Sequence, residues 1–290
     1  MKLRIDVDAT DGAARTGSIA TARGVLPTPL FMPVGTRAAV KTLDTADLES
    51  LGIPLVLGNT YHLMLRPGAD VVAAMGGLHR FMDWSGHLLT DSGGYQIFSL
   101  EPKVTDDGAT FRSTYDGSTH HLTPEGAVEV QTLLGADIQM VLDVCPALPS
   151  SPAVVQAAVD RTAHWAQRAR RSFLAGAEAR AGRGLHQSQF GISQGGIDAS
   201  LRAESAQRTV EVGFDGYAIG GLSVGETRQE MLPALAAAIE HLPDDQPRYL
   251  MGVGDPAAIV EAVGLGVDLF DCVLPTRHAR HGTVLTGTGK

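Results

Sequence analysis

The chain has 290 residues, 44% of them hydrophobic, with 23 Lys and Arg against 32 Asp and Glu, for a formal net charge of −9. That length suits one large core, and an α/β barrel of this size is normally one domain, here residues 1–290. The acidic balance argues against broad nucleic-acid binding and leaves room only for a local basic patch.

No run of about 18 uncharged apolar residues predicts a membrane span. Met1-Lys2-Leu3-Arg4-Ile5-Asp6 has no apolar stretch of a secretory signal. The two cysteines, Cys145 and Cys272, stand far apart and form no Cys-x-x-Cys. That usage suits a reducing cytoplasm better than a disulfide framework and shows no zinc-site spacing.

In chain order, short apolar runs predict strands at Leu30–Val34, Leu55–Leu57, Leu88–Asp91, Ile138–Asp143, Phe190–Gln194, Tyr217–Ile219, Tyr249–Met251 and Val267–Cys272. Amphipathic helices fall between most of them. Thr123-Pro124-Glu125 reads as an N-cap, a proline at the first helical position and an early acid, opening a helix to about Leu134. Ser151-Pro152 opens another, with Val155, Ala158, Val159 and Ala166 on one face. Arg161, Arg168 and Arg171 fall opposite and read as a solvated face. Asp198–Val212, Glu226–Leu242 and Pro256–Gly264 predict three more helices. Between the third and fourth strands, Glu101–His121 breaks the rhythm and reads as a β-hairpin insertion around Asp-Gly turns. Strands alternating with helices imply parallel βαβ units. Eight such units predict a (β/α)8 TIM barrel, whose ligands meet the C-terminal strand ends.

Those ends are polar or glycine-rich: Asp91-Ser92-Gly93-Gly94-Tyr95-Gln96, then Asp143, Gln194-Gly195-Gly196, Gly220-Gly221-Leu222, Met251-Gly252-Val253-Gly254 and Asp271. Taken singly, each has a plain explanation. A strand-end Asp commonly caps the next helix, Gly-Gly commonly makes a tight turn, and Met251 suits a core. His120-His121 reads as a polar loop feature and Cys145 as a small apolar wall. Jointly they suggest more. Asp91 and Asp271 form a carboxylate pair suited to glycosidic chemistry, and Asp143 with Gln194 suits a heterocycle edge. Strand-end glycines let backbone groups approach a flat ligand.

The stretches Gly58-Asn59-Thr60-Tyr61-His62-Leu63, Asp91 to Gln96, Gln194-Gly195-Gly196, Gly220 to Glu226, Met251 to Gly254 and Phe270-Asp271-Cys272-Val273-Leu274-Pro275-Thr276-Arg277 together resemble the tRNA-guanine transglycosylases, or queuine tRNA-ribosyltransferases. The resemblance implies exchange of guanine at the tRNA wobble position for a 7-deazaguanine. It makes Asp271 the nucleophile, attacking ribose C1′ to hold the tRNA covalently, and Asp91 the general acid/base. It places Ser92, Asp143 and Gln194 at base-binding positions, Gly221 N–H on the exocyclic oxygen and Leu222 C=O on an aminomethyl group. Tyr95 and Met251 would sandwich the ring. Arg277 and Arg280, with His278 and His281 near, would hold anticodon phosphates. Val224 and Cys145 match the bacterial type, which uses 7-aminomethyl-7-deazaguanine (preQ1). Val144 stands where the family commonly has an acidic residue.

The family also implies a zinc subdomain with three cysteines and one histidine, and a homodimer. This chain ends at Thr286-Gly287-Thr288-Gly289-Lys290 without those ligands, which reads as a fragment more than as a shortened homologue. No metal ligand is assigned, and no organic cofactor is implied. Two other readings compete. One is a truncated, non-catalytic tRNA-binding or partner subunit. The other is an unrelated barrel enzyme acting on a phosphorylated metabolite, which the glycines at Met251-Gly252-Val253-Gly254 would serve.

Overall fold

Eight parallel strands close into a barrel in the computed structural model, which describes residues 3–286. They are β1 (Leu30–Met32, continued as Val34–Gly35), β2 (Leu55–Gly58), β3 (His87–Thr90), β4 (Ile138–Met140), β5 (Ser188–Ser193), β6 (Gly216–Ile219), β7 (Arg248–Leu250) and β8 (Leu269–Asp271). Every expected strand is present, in sequential order. The first half of β1 pairs with β8, the second with β2. Pro33 interrupts the strand because it has no N–H to give the ladder.

The strands are buried on both faces, which is why they read as continuous apolar runs. Phe190, Ile192, Ile219, Tyr249, Leu250 and Phe270 belong to the main core. Gly216 is required there, since a Cβ would collide with the Phe190 ring. The helices begin where their caps say. Thr123 accepts from Gly126 N, Ser151 from Val154 N and Asp198 from Ser200 N and Leu201 N. The helix expected from Glu226 runs Arg228–Ile239, because Thr227 and Glu230 close a capping box and set its start.

The insertion is a three-stranded antiparallel sheet, Lys103–Val104, Ala109–Arg112 and Thr119–Leu122. The arginine face of the helix Pro152–Ala175 is not simply solvated, contrary to expectation. Arg168 holds Glu125 through two bonds of 2.8 and 2.7 Å, and donates to the carbonyls of Asp106 and Asp107. Arg161 pairs with Asp106 at 3.2 Å. These contacts dock the insertion on the helix, and Arg171 alone of the three stays exposed.

An unforeseen third sheet, Ile5–Asp11, Ala14–Ala20 and Val25–Thr28, lies across the N-terminal end of the barrel. Leu3, Ile5, Ile19 and Leu26 join the main core, and Arg15 reaches Asp268, just before β8. No helix among the described residues is long and apolar enough to cross a membrane. Met1, Lys2 and residues 287–290 lie outside the described residues.

Candidate active site

The C-terminal ends of the strands surround a cavity of about 250 Å³. Asp91, just beyond β3, is buried and held from one side. Its carboxylate accepts from Asn59 Nδ2 at 2.6 Å, Thr60 N at 2.7 Å and Gly93 N at 3.2 Å. Burial raises its pKa to about 6, with a further push from the Asp271 charge, against those hydrogen bonds.

Asp143, beyond β4, accepts from Gln194 Nε2 at 2.6 Å and Ser92 Oγ at 3.3 Å. Burial pushes it up to about 6 as well. Asp271 closes β8. Tyr249 Oη and Gly252 N both donate to its Oδ1, at 2.6 and 2.7 Å. No described residue donates to Oδ2, and the side chain lines the cavity. Burial raises its pKa, opposed by those two bonds. Two buried acids and the half-buried Asp271 thus face one cavity with no cation paired to any of them among the described residues.

The cavity walls complete the picture. Tyr95 and Met251 both line it, Tyr95 63% exposed at the mouth. Gly221 and Leu222 line it beyond β6. Neither the Gly221 N–H nor the Leu222 C=O has a partner among the described residues, so the wall offers one open donor and one open acceptor. Gly221 takes φ +65°, and a Cβ there would strike Gln194 Oε1. Gln194 itself stands behind Asp143 and Gly221 rather than in the lining, and its buried Oε1 is unsatisfied. Ser92 lines the cavity beside Asp143.

Arg277 and Arg280 lie outside the cavity, on the helix Leu274–Arg280 that follows β8. Neither pairs with a carboxylate among the described residues. Val144 is buried with Trp165 in a separate apolar cluster, its N–H on Thr162 Oγ1, and does not line the cavity. Cys145 is a wall residue whose thiol burial pushes up to about 12.

Several supporting residues had drawn no functional role from the sequence. Asn59 and Tyr249 were visible only as part of a motif and of a strand. Glu226, read as a helix start, instead accepts from Ser223 N and Val224 N in the β6 loop. Arg202 looked like one more charged helix residue and is wholly buried.

A family model for queuine tRNA-ribosyltransferase matches residues 9–290. The chain belongs to the queuine tRNA-ribosyltransferase family. A relative of that name from Solidesulfovibrio magneticus is 52% identical over 282 residues, 97% of this chain and 74% of its own length. One from Novosphingobium aromaticivorans is 51% identical, covering 98% of this chain and 75% of itself. One from Symbiobacterium thermophilum is 53% identical, covering 96% and 68%. Among the described residues no three His, Cys, Asp or Glu side chains are grouped to hold a metal, and burial raises the pKa of both cysteines, disfavouring thiolates.

Proposed function

We propose that this chain is a tRNA-guanine transglycosylase. It exchanges guanine at the anticodon wobble position for preQ1 through a covalent glycosyl-enzyme intermediate. The observation that carries the reading is Asp271, held by one carboxylate oxygen and open at the other, across one cavity from Asp91 and Asp143.

The wobble nucleotide leaves the anticodon stack and enters the cavity. Tyr95 and Met251 hold the base between them, Asp143 accepts from its donor edge with Gln194 and Ser92 behind, and Gly221 N–H meets the exocyclic oxygen. Asp271 Oδ2 attacks ribose C1′ as the C1′–N9 bond breaks, and the leaving guanine takes a proton from Asp91. The incoming preQ1 returns its N9 proton to the Asp91 carboxylate and displaces Asp271 from C1′. Two displacements retain configuration. A pKa of about 6 lets Asp91 serve in both protonation states near neutrality. Leu222 C=O accepts from the preQ1 aminomethyl group, and Arg277 and Arg280 take flanking phosphates. A cytoplasmic setting, the homodimer and zinc enter this reading through the resemblance alone.

The test is incorporation of labelled guanine into tRNA with a wobble guanine, with unlabelled preQ1 as competitor. Label at that position, suppressed by preQ1, supports the reading. A folded chain that incorporates none overturns it.

A further inference from the structure

Arg202 sits in the helix Ala199–Val212 with 0% of its surface exposed. A buried guanidinium normally finds a carboxylate. This one finds none among the described residues and instead meets backbone carbonyls. Nε donates to Gly196 O at 2.7 Å, Nη1 to Gly220 O at 2.7 Å and Ser193 O at 3.4 Å, and Nη2 to Gly221 O at 3.0 Å. One side chain therefore ties the turn after β5, which carries Gln194, to the turn after β6.

The contact with Gly220 O has a consequence for the cavity. Gly220 C=O and Gly221 N–H belong to one trans peptide unit, so they point in opposite directions. Fixing the oxygen on the buried guanidinium aims the N–H away from it, and Gly221 is a wall residue whose N–H has no other acceptor among the described residues. A positive charge on the oxygen also polarises the peptide and strengthens the donor at its far end. The neighbouring unit is treated in the opposite sense. The Glu226 carboxylate accepts from Ser223 N, which shares a peptide with Leu222 C=O. A buried cation thus stands behind the open donor, and an anion behind the open acceptor.

We propose that Arg202 is a positioning residue for base recognition. It locks the Gly220–Gly221 peptide with its N–H toward the exocyclic oxygen of the base and polarises that N–H. As guanine departs with negative charge spread toward that oxygen, the polarised peptide holds it, in the manner of an oxyanion hole. The inference rests on the transglycosylase reading, and its test separates the two.

Binding of free guanine and of 2-aminopurine, which lacks the exocyclic oxygen, is measured for the wild type, Arg202→Lys and Arg202→Met, with thermal melting of each. The wild type prefers guanine. In the variants guanine affinity falls by about tenfold or more, the scale of a charge-backed hydrogen bond, while 2-aminopurine affinity moves less than about threefold. Lys recovers part of the loss because it restores charge without the fork. Equal losses for both bases, an unchanged preference, or the absence of any cooperative melt in both variants would each assign Arg202 to the fold alone and overturn the proposal. A wild type that binds neither base would instead strike the transglycosylase reading itself.

Discussion

The two ends of the barrel treat the same buried residue in opposite ways. At the N-terminal end, Asp137, Asp215 and Asp268 directly precede β4, β6 and β8. Each accepts from a backbone N–H of the preceding strand: Leu88 N at 2.9 Å, Gln189 N at 3.0 Å and Arg248 N at 2.8 Å. Each also holds an arginine, from Arg23, Arg170 and Arg15 in turn. At the C-terminal end, Asp91, Asp143 and Asp271 are held, among the described residues, by neutral donors alone. Burial lifts all three. At Asp137 burial also pushes upward, but His79, Leu88 N–H and Arg23 outweigh it and its pKa falls. One end uses its carboxylates to clamp strands together. The other keeps them uncompensated, ready for a cation, a proton or a carbon centre. The barrel's division of stability and chemistry between its two faces is thus readable in the partners of six aspartates.

The comparison breaks first at Asp268. Asp268→Ala strands Arg15 in a site where the two side chains are 6% and 0% exposed. We expect a loss of about 3–5 kcal/mol in denaturant unfolding, the scale of a buried pair losing one partner. A loss below about 1 kcal/mol would mean that the pair clamps nothing.

Asp143→Asn has the opposite sign. An acid whose folded pKa lies above its ordinary 3.8, here at about 6, binds its proton more tightly when folded. Its charge therefore weighs against the fold above about pH 6, and that penalty fades as the pH falls toward 3.8. Asn should stabilise by about 1–3 kcal/mol at pH 8, at roughly 1.4 kcal/mol for each tenfold change in proton affinity, and by nearly nothing at pH 4. Melting curves at the two pH values check it. Destabilisation at pH 8 would mean that Asp143 is structural.

Tyr249→Phe removes one of the two donors on Asp271 Oδ1. The carboxylate then ionises less readily, and kcat/KM for guanine exchange should fall about tenfold with little change in melting temperature. The smallest effect is at Asn59. Asn59→Ala takes away a bond that holds the Asp91 pKa down. The alkaline limb of the pH–rate profile for guanine release, where Asp91 acts as the acid at about pH 6, should therefore move upward by a fraction of a pH unit. A downward move would contradict the geometry.

Much of this was legible in the sequence, for physical reasons. Strands buried on both faces leave unbroken apolar runs, and capping residues such as Thr123 and Ser151 mark helix starts locally. The aspartates and glycines at the C-terminal rim follow those runs directly, so Asp91, Asp143 and Asp271 can be placed together from the order of residues alone. The N-terminal sheet was missed because its first strand is almost wholly exposed and its second buries a single large apolar residue, Ile19, beside Arg15 and Gly17. Arg202 carried no local signal at all. Its burial depends on carbonyls from the turns after two different strands, and an arginine at helical spacing reads as solvent-facing. The basal clamps share that fate, since each arginine lies far along the chain from its aspartate.

The most direct test of the division between the two ends is a denaturing gel of the chain incubated with wobble-guanine tRNA, for wild type, Asp271→Asn and Asp268→Asn. A slower-migrating protein–tRNA band is predicted for wild type and for Asp268→Asn at a temperature where it stays folded, and none for Asp271→Asn. A band that persists in Asp271→Asn would contradict the division, because the covalent bond would then form elsewhere.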